Sequence, residues 1–224
     1  MGAAKCTVRG SDYIGAFAAA TDSHVFVCSA IDHRSRSVLE KMLGATPIEM
    51  SVSGTDLIGL FVKANSNGLV ISNLVEEHEL ERLKSHKLGI NIAVIDTGLN
   101  ALGNNMIVND KIAIVNPDYD PRSVKLIGDA LGVEVVKAEI GGFKTVGANN
   151  ILTNKGLVIN NRATDGQKKE LDRLTGFNSV GTTANTGALS IGLSTVANSK
   201  GVVVGDGTTG FELARIMEAL ELND

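Results

Sequence analysis

A glycine recurs along this chain at a nearly constant interval: Gly15, Gly59, Gly103, Gly147 and Gly192, separated by 44, 44, 44 and 45 residues. Each opens a similar stretch, of which GLFVKANSNGLVI and GANNILTNKGLVI are the clearest copies: a short apolar run, a polar turn, a second apolar run. Two further landmarks keep step. The turn ends at His24, Gly68, Lys111, Gly156 and Gly201, and about fifteen residues later an aliphatic side chain falls in a helix-like segment: Leu39, Leu83, Leu126, Leu171 and Ile216. Five copies in register mean a repeat architecture, because one unit of this size cannot bury its apolar face alone.

Each copy reads as strand, strand, helix, strand. Helices are expected from about Ser35 to Gly44, Glu76 to Ser85, Asp120 to Gly132, Gly166 to Leu174 and Phe211 to Leu220. Asp120 suits an N-cap and Pro121 the first turn, where its missing N–H costs nothing. Third strands are expected at Pro47–Val52, Ile90–Ile95, Val133–Ile140 and Ser179–Thr182. The fifth copy lacks one, whereas an extra strand, Lys5–Arg9, precedes the first. Joining the two closes the array, removes its sheet edges and dispenses with the polar capping repeats that an open solenoid needs.

The expectation is therefore one α/β domain, residues 1–224: a closed disk of five strand–strand–helix–strand modules around a pseudo-fivefold axis. The modules run roughly 1–50, 51–96, 97–140, 141–185 and 186–224, and the N-terminal strand completes the last. The repeating glycines are architectural, placed where backbones crowd or φ is positive. Leu126 is core in this register, so Leu126→Asp would bury an unpaired carboxylate at a cost of several kcal/mol.

Composition narrows the functional classes. A net charge of −4 argues against a protein held mainly to nucleic-acid phosphate. The charge is uneven: the modules carry 0, −2, −2, +3 and −3. No apolar run approaches the roughly eighteen residues of a membrane span, and MGAAKCTVRG lacks a signal-type apolar stretch. A cytoplasmic protein is expected, with Cys6 and Cys28 as reduced core thiols.

Motifs that suggest chemistry are few. Gly205-Asp-Gly207-Thr-Thr-Gly210 has the GxGxxG spacing of a dinucleotide loop, but no second parallel strand or ribose-binding acid follows it. The simpler reading is a helix start capped by Thr208 or Thr209. His24, His33, His78 and His86 form no metal-binding pair, and there is no CxxC, nucleophile elbow or phosphate loop. His24 sits at a turn and is expected to be exposed. The run Glu76-Glu77-His78-Glu79 matches a helix N-terminus, where negative charge is favoured.

The segments GTDLIGLFVKANSNGLVI, ALGNNMIVNDKIAIVNPD, LGVEVV, TVGANNILTNKGLV and ANSKGVVVGDGTTGFELARI span all five modules. Together they resemble the archaeal and eukaryotic translation initiation factor 6 family. The likeness is to the archaeal form, since no extended tail follows the last helix. The resemblance implies the pentein fold, a five-module closed disk. It also implies binding to the face of the large ribosomal subunit that meets the small subunit, so that subunit joining is blocked, with a further role in large-subunit biogenesis.

The implied contact is a ribosomal protein beside the sarcin–ricin loop, with some adjacent ribosomal RNA; an acidic disk suits such a basic partner. The implied binding rim follows the repeating glycines. Asn104 is the best match, Leu60 a weaker one because many relatives carry a basic residue there, and Gly15 and Gly59 support the rim as backbone. No metal, cofactor, membrane or DNA is implied, and a monomer is expected because a closed ring leaves no edge to pair.

The alternative is a guanidine-modifying enzyme of the same fold, such as a deiminase or amidinotransferase. Those resembling enzymes use a cysteine nucleophile in the last module with a histidine and carboxylates in the channel. Residues 186–224 contain neither Cys nor His, so that mechanism has no nucleophile in the expected place.

Overall fold

The computed structural model describes residues 2–222; Met1, Asn223 and Asp224, which the expected domain includes, lie outside the described residues. Strand β1 (Gly2–Cys6) comes first. Module one has a single 3-10 turn (Ile14–Ala16), then β2 (Ala18–Ala20), β3 (His24–Cys28), helix α1 (His33–Leu43) and β4 (Thr46–Met50). Module two repeats this with α2 (Ile58–Phe61), β5 (Val62–Ala64), β6 (Gly68–Ser72), α3 (Glu77–Ser85) and β7 (Asn91–Ile95). In module three the elements are α4 (Leu102–Asn105), β8 (Met106–Val108), β9 (Ile112–Val115), α5 (Pro121–Leu131) and β10 (Glu134–Lys137). Module four has α6 (Val146–Asn149), β11 (Ile151–Leu152), β12 (Leu157–Asn160), α7 (Asp165–Thr175) and β13 (Val180–Thr182). Module five has α8 (Ile191–Ser194), β14 (Thr195–Ala197), β15 (Gly201–Gly205) and α9 (Gly210–Ala219).

Each module forms a three-stranded sheet in which the first two strands are antiparallel and the third pairs in parallel across the helix. In module five the third strand is β1, which runs parallel to β15 from Gly2 opposite Gly201 to Cys6 opposite Gly205. The five-module disk expected from the period is the architecture found. Contacts among the one-turn helices run round it without a gap: the 3-10 turn touches α2 and α8, α4 touches α2 and α6, and α6 touches α8.

The cores lie between modules rather than within them. Val196 and Val203 of module five join Ile14, Leu39 and Leu43 of module one. Phe26 of β3 enters the core of module two beside Ile58 and Leu83, and Val70 of β6 enters that of module three beside Met106 and Ile127. Ile107 and Ile114 pack with Val146 and Leu171; Ile151 and Val158 pack with Ile191 and Ile216. Every sheet thus serves two cores, and each buried aliphatic contributes about 1.5–3 kcal/mol only while its neighbour is in place.

The long helices begin and end where local chemistry dictates. Asp32 accepts from Ser35 N, and Asp120 from Arg122 N and Ser123 N. Thr164–Gln167 and Thr209–Glu212 form reciprocal capping boxes. Gly44, Gly132 and Gly176 stop α1, α5 and α7 with φ of 53°, 65° and 77°, a left-handed cap that costs glycine nothing.

Four expectations need correction. The first strand is Gly2–Cys6, not Lys5–Arg9, because the chain turns at Val8–Ser11, where Arg9 and Gly10 take φ of 54° and 74°. The recurring glycines are the second residues of one-turn helices rather than the openings of strands. His24 is half-buried rather than exposed, since its ring lies against Phe26, 6.2 Å between centroids.

The fourth concerns Leu126, which is 38% exposed while Ile127 is fully buried. The slip begins at the turn. Asn109 Oδ1 accepts from Lys111 N and Ile112 N, as Asn65 Oδ1 accepts from Asn67 N and Gly68 N. The counterpart of Gly68 is therefore Ile112, not Lys111, and counting from it reaches Ile127.

Candidate functional site: the two mouths of the central channel

The five repeating glycines form a ring at one mouth of the channel. A Cβ added at Gly59 would lie 2.0 Å from the carbonyl oxygen of Gly15, at Gly103 1.9 Å from that of Gly59, and at Gly147 2.0 Å from that of Gly103. Gly192 would meet Gly147 O at 2.0 Å and Gly15 would meet Gly192 O at 2.2 Å, which closes the circle. None of the five has positive φ, so crowding alone demands glycine.

Around this ring the one-turn helices present the rim. The residues directly after the glycines are Ala16, Leu60, Asn104, Ala148 and Leu193. Ala16 and Ala148 are buried, whereas Leu60, Asn104 and Leu193 are partly open. Asn104 Oδ1 is buried without a hydrogen-bond partner, an acceptor left unused. Tyr13 and Leu57, at the starts of the first two one-turn helices, are 43% and 36% exposed. Arg9 and Asp56 pair between the same two modules. Gly15, Gly59, Leu60 and Asn104, named from the sequence, thus come together on one face.

The opposite mouth is closed by side chains. Asn65 Nδ2 donates to Asn109 O (3.1 Å), Asn109 Nδ2 to Thr153 O (3.2 Å) and Asn198 Nδ2 to Thr21 O (2.9 Å). Asp110 accepts from Ser66 N and Asp22 from Ser199 N, both at 2.8 Å. Asn154 Nδ2 donates to both aspartates, at 2.8 Å to Asp110 and 3.0 Å to Asp22. This mouth is polar and anionic.

Two carboxylates secure hairpin turns beside the one-turn helices. Glu212 accepts from Thr183 Oγ1 (2.7 Å), Gly187 N (2.8 Å) and Thr209 N (2.7 Å). Burial alone would raise its pKa, but these donors outweigh that and hold it at about 2. Glu79 does the same for Ser53 N (2.7 Å) and Gly54 N (2.9 Å). Its negative charge therefore serves the turn as well as the helix start.

The groups a cysteine-based guanidine chemistry would need are not brought together behind the glycine ring. Burial pushes the Cys6 and Cys28 thiols up to about 11, so they are not nucleophiles at neutral pH. The cavity behind the glycine ring is lined by no Cys, His, Asp or Glu, and its one ionisable side chain, Lys63, would repel a guanidinium; the carboxylates of Asp22 and Asp110 lie at the far mouth and are taken up by Ser199 and Ser66. Sequence reasoning misses Lys63, although comparing the fourth residue after each glycine isolates it: Ala19, Lys63, Ile107, Ile151 and Val196. In the GxGxxG stretch the space a pyrophosphate would need is occupied. A Cβ on Gly205 would meet Asp12 O at 2.0 Å, and Thr209 with Glu212 takes up the helix N-terminus. No group of three or more potential metal ligands occurs among the described residues.

The eIF-6 family model matches residues 3–219. Translation initiation factor 6 of Picrophilus torridus is 36% identical over 217 residues, covering 96% of this chain and 98% of that protein. Those of Pyrococcus abyssi and Thermoplasma acidophilum are each 37% identical, covering 96% of this chain and 96% and 98% of theirs. A solved dimethylarginine dimethylaminohydrolase, an adduct with S-methyl-L-thiocitrulline, is a distant likeness: TM-score 0.48, 10% identity, 75% of this chain and 68% of that one. The chain belongs to the eIF-6 family, and so to the non-catalytic factors of translation initiation.

Proposed function

We propose that this protein binds the large ribosomal subunit through its glycine-ring rim and keeps the small subunit from joining by occupying the shared face. One observation carries the reading: Gly15, Gly59, Leu60 and Asn104 converge on a single rim beside the exposed apolar side chains Tyr13 and Leu57. Exposed apolar residues on a rigid frame are what a protein-binding surface requires. Occlusion needs no catalytic group. The protein acts as a cytoplasmic monomer, on a ribosomal protein beside the sarcin–ricin loop with adjacent RNA, and takes part in large-subunit biogenesis.

The test is sedimentation with archaeal large and small subunits at low and moderate salt. Co-migration with the large subunit alone, with loss of joined ribosomes, is the expected result. Leu60→Glu and Asn104→Ser should weaken binding while leaving the melting curve close to wild type. Absence of binding at both salts would overturn the proposal; unchanged binding by both variants would remove this rim from it.

A further inference from the structure

The cavity behind the glycine ring contains a single charge. Its walls are chiefly the inner strands of the modules, and Lys63, in the middle of β5, is the only ionisable residue among those that line it. The other modules place Ala19, Ile107, Ile151 and Val196 at this register. A repeat with four apolar side chains and one ammonium at one position departs from its own packing rule. Apolar packing cannot explain the exception, because a methylene chain ending in a charge costs more to withdraw from water than valine does.

Lys63 is mostly withdrawn from solvent and, among the described residues, has no hydrogen-bond or ion-pair partner. Burial lowers its pKa to about 8, and no neighbouring carboxylate counters that effect. The nearest acidic groups along the channel are Asp22 and Asp110 at the far mouth, already held by Ser66, Asn154 and Ser199.

A second unmatched group faces the same cavity. Asn104 lines it from α4, which packs directly against β5. Its Oδ1 is buried without a partner, as is the Oγ1 of Thr195, which lines the cavity from β14. One wall therefore supplies a cation with donors to spare, and the adjoining wall supplies an acceptor awaiting an O–H. The cavity holds about 60 Å³, well under the roughly 300 Å³ of a cofactor pocket. Its far mouth carries aspartates, so an anion would come in through the glycine ring.

We propose that this cavity is a binding site for one small oxyanion that retains an O–H, hydrogenphosphate or hydrogencarbonate, held by Lys63 and Asn104. The anion's oxygens accept from Lys63 Nζ, and its remaining proton goes to Asn104 Oδ1. Binding supplies the counter-charge that the protein itself withholds.

The test compares wild type with Lys63→Met, which keeps the side-chain length and removes the charge. Melting is followed in millimolar phosphate, hydrogencarbonate, sulfate and chloride at matched ionic strength. Without an oxyanion, Lys63→Met is expected to melt above wild type, since it deletes an unpaired buried charge. Phosphate or hydrogencarbonate at a hundredfold excess over Kd should raise the wild-type Tm by about 5 °C or more and leave the variant unmoved. The two arms show which anion the site prefers. Sulfate, with no O–H at neutral pH, should act less strongly.

General salting-out stabilises both proteins alike. An equal rise in both, or no rise in wild type with either anion, would overturn the proposal. A sulfate shift as large as that of phosphate would remove Asn104 from the site. Nitrogen-15 NMR of the lysine amines gives a readout independent of folding. The Lys63 midpoint, which burial lowers to about 8, should move upward when phosphate is added, and a fixed midpoint would count against binding.

Discussion

The two mouths of the channel solve one problem, closing a ring of five modules, by different means. At the glycine mouth backbone meets backbone, and all five positions are glycine. At the turn mouth side chains make the links, and the five positions vary: Thr21, Asn65, Asn109, Thr153 and Asn198. Asparagine reaches the next turn's carbonyl; threonine, one bond shorter, does not. A steric requirement leaves no choice of residue. A hydrogen bond worth about 1 kcal/mol can be lost at two of five sites without breaking the ring.

The largest effect that could break this comparison is Gly103→Ala. The added methyl would overlap Gly59 O, and nothing flexible can give way, so a loss of at least about 4 kcal/mol is expected by denaturant titration. A near-normal midpoint would show that the glycine mouth is as tolerant as the other.

Next is the inter-module core between these mouths. Ile127→Asp should cost about 4 kcal/mol, because the site is fully buried. Leu126→Asp, on the exposed side of the same helix, should stay within about 1 kcal/mol of wild type. Equal losses would restore the register that counting from Lys111 implies.

A smaller effect tests whether the glycine side also relies on side chains. Glu212→Gln replaces an acceptor of several N–H and O–H donors with an amide and should cost about 2 kcal/mol. The carboxyl is held low in the fold, near 2, against an ordinary value of 4.5. Its contribution is thus complete above about pH 4.5 and disappears as pH falls towards 2. Melting of wild type across that window should fall more steeply than melting of the variant.

The smallest expected change is a gain. Thr153→Asn would supply the missing link to Asn198 O and stabilise by about 0.5–1 kcal/mol. A loss there would mean that the threonine positions are selected by shape rather than left over.

The outline of the disk was legible because a repeat states its own period five times, and because Asp120, Pro121 and Gly132 punctuate a helix unambiguously. Short pieces were not. The one-turn helices are four residues or fewer, too brief for a helical period to register. The strand GAAKC lacks the β-branched residues that mark a strand. In the third module the counterpart of Gly68 is Ile112 rather than a glycine, so the end of the turn reads one residue early, at Lys111, and this displaced Leu126 into an imagined core. Asn104 and Leu60 were named through resemblance to a family. Lys63 was visible in the comparison of copies, but only the cavity shows that this residue lines a channel.

The pairing of β1 with β15 also bears on how a copy of this protein is made. Gly2 and its neighbours are synthesised almost two hundred residues before their partner at Gly201–Gly205. During synthesis the opening strand waits without its mate, and the module-one core lacks Val196 and Val203 until the same moment. Contacts this distant in sequence form late and slowly. A chain whose synthesis stops before Gly201 leaves that seam open and an apolar face uncovered, so closure of the ring waits on the fifth module.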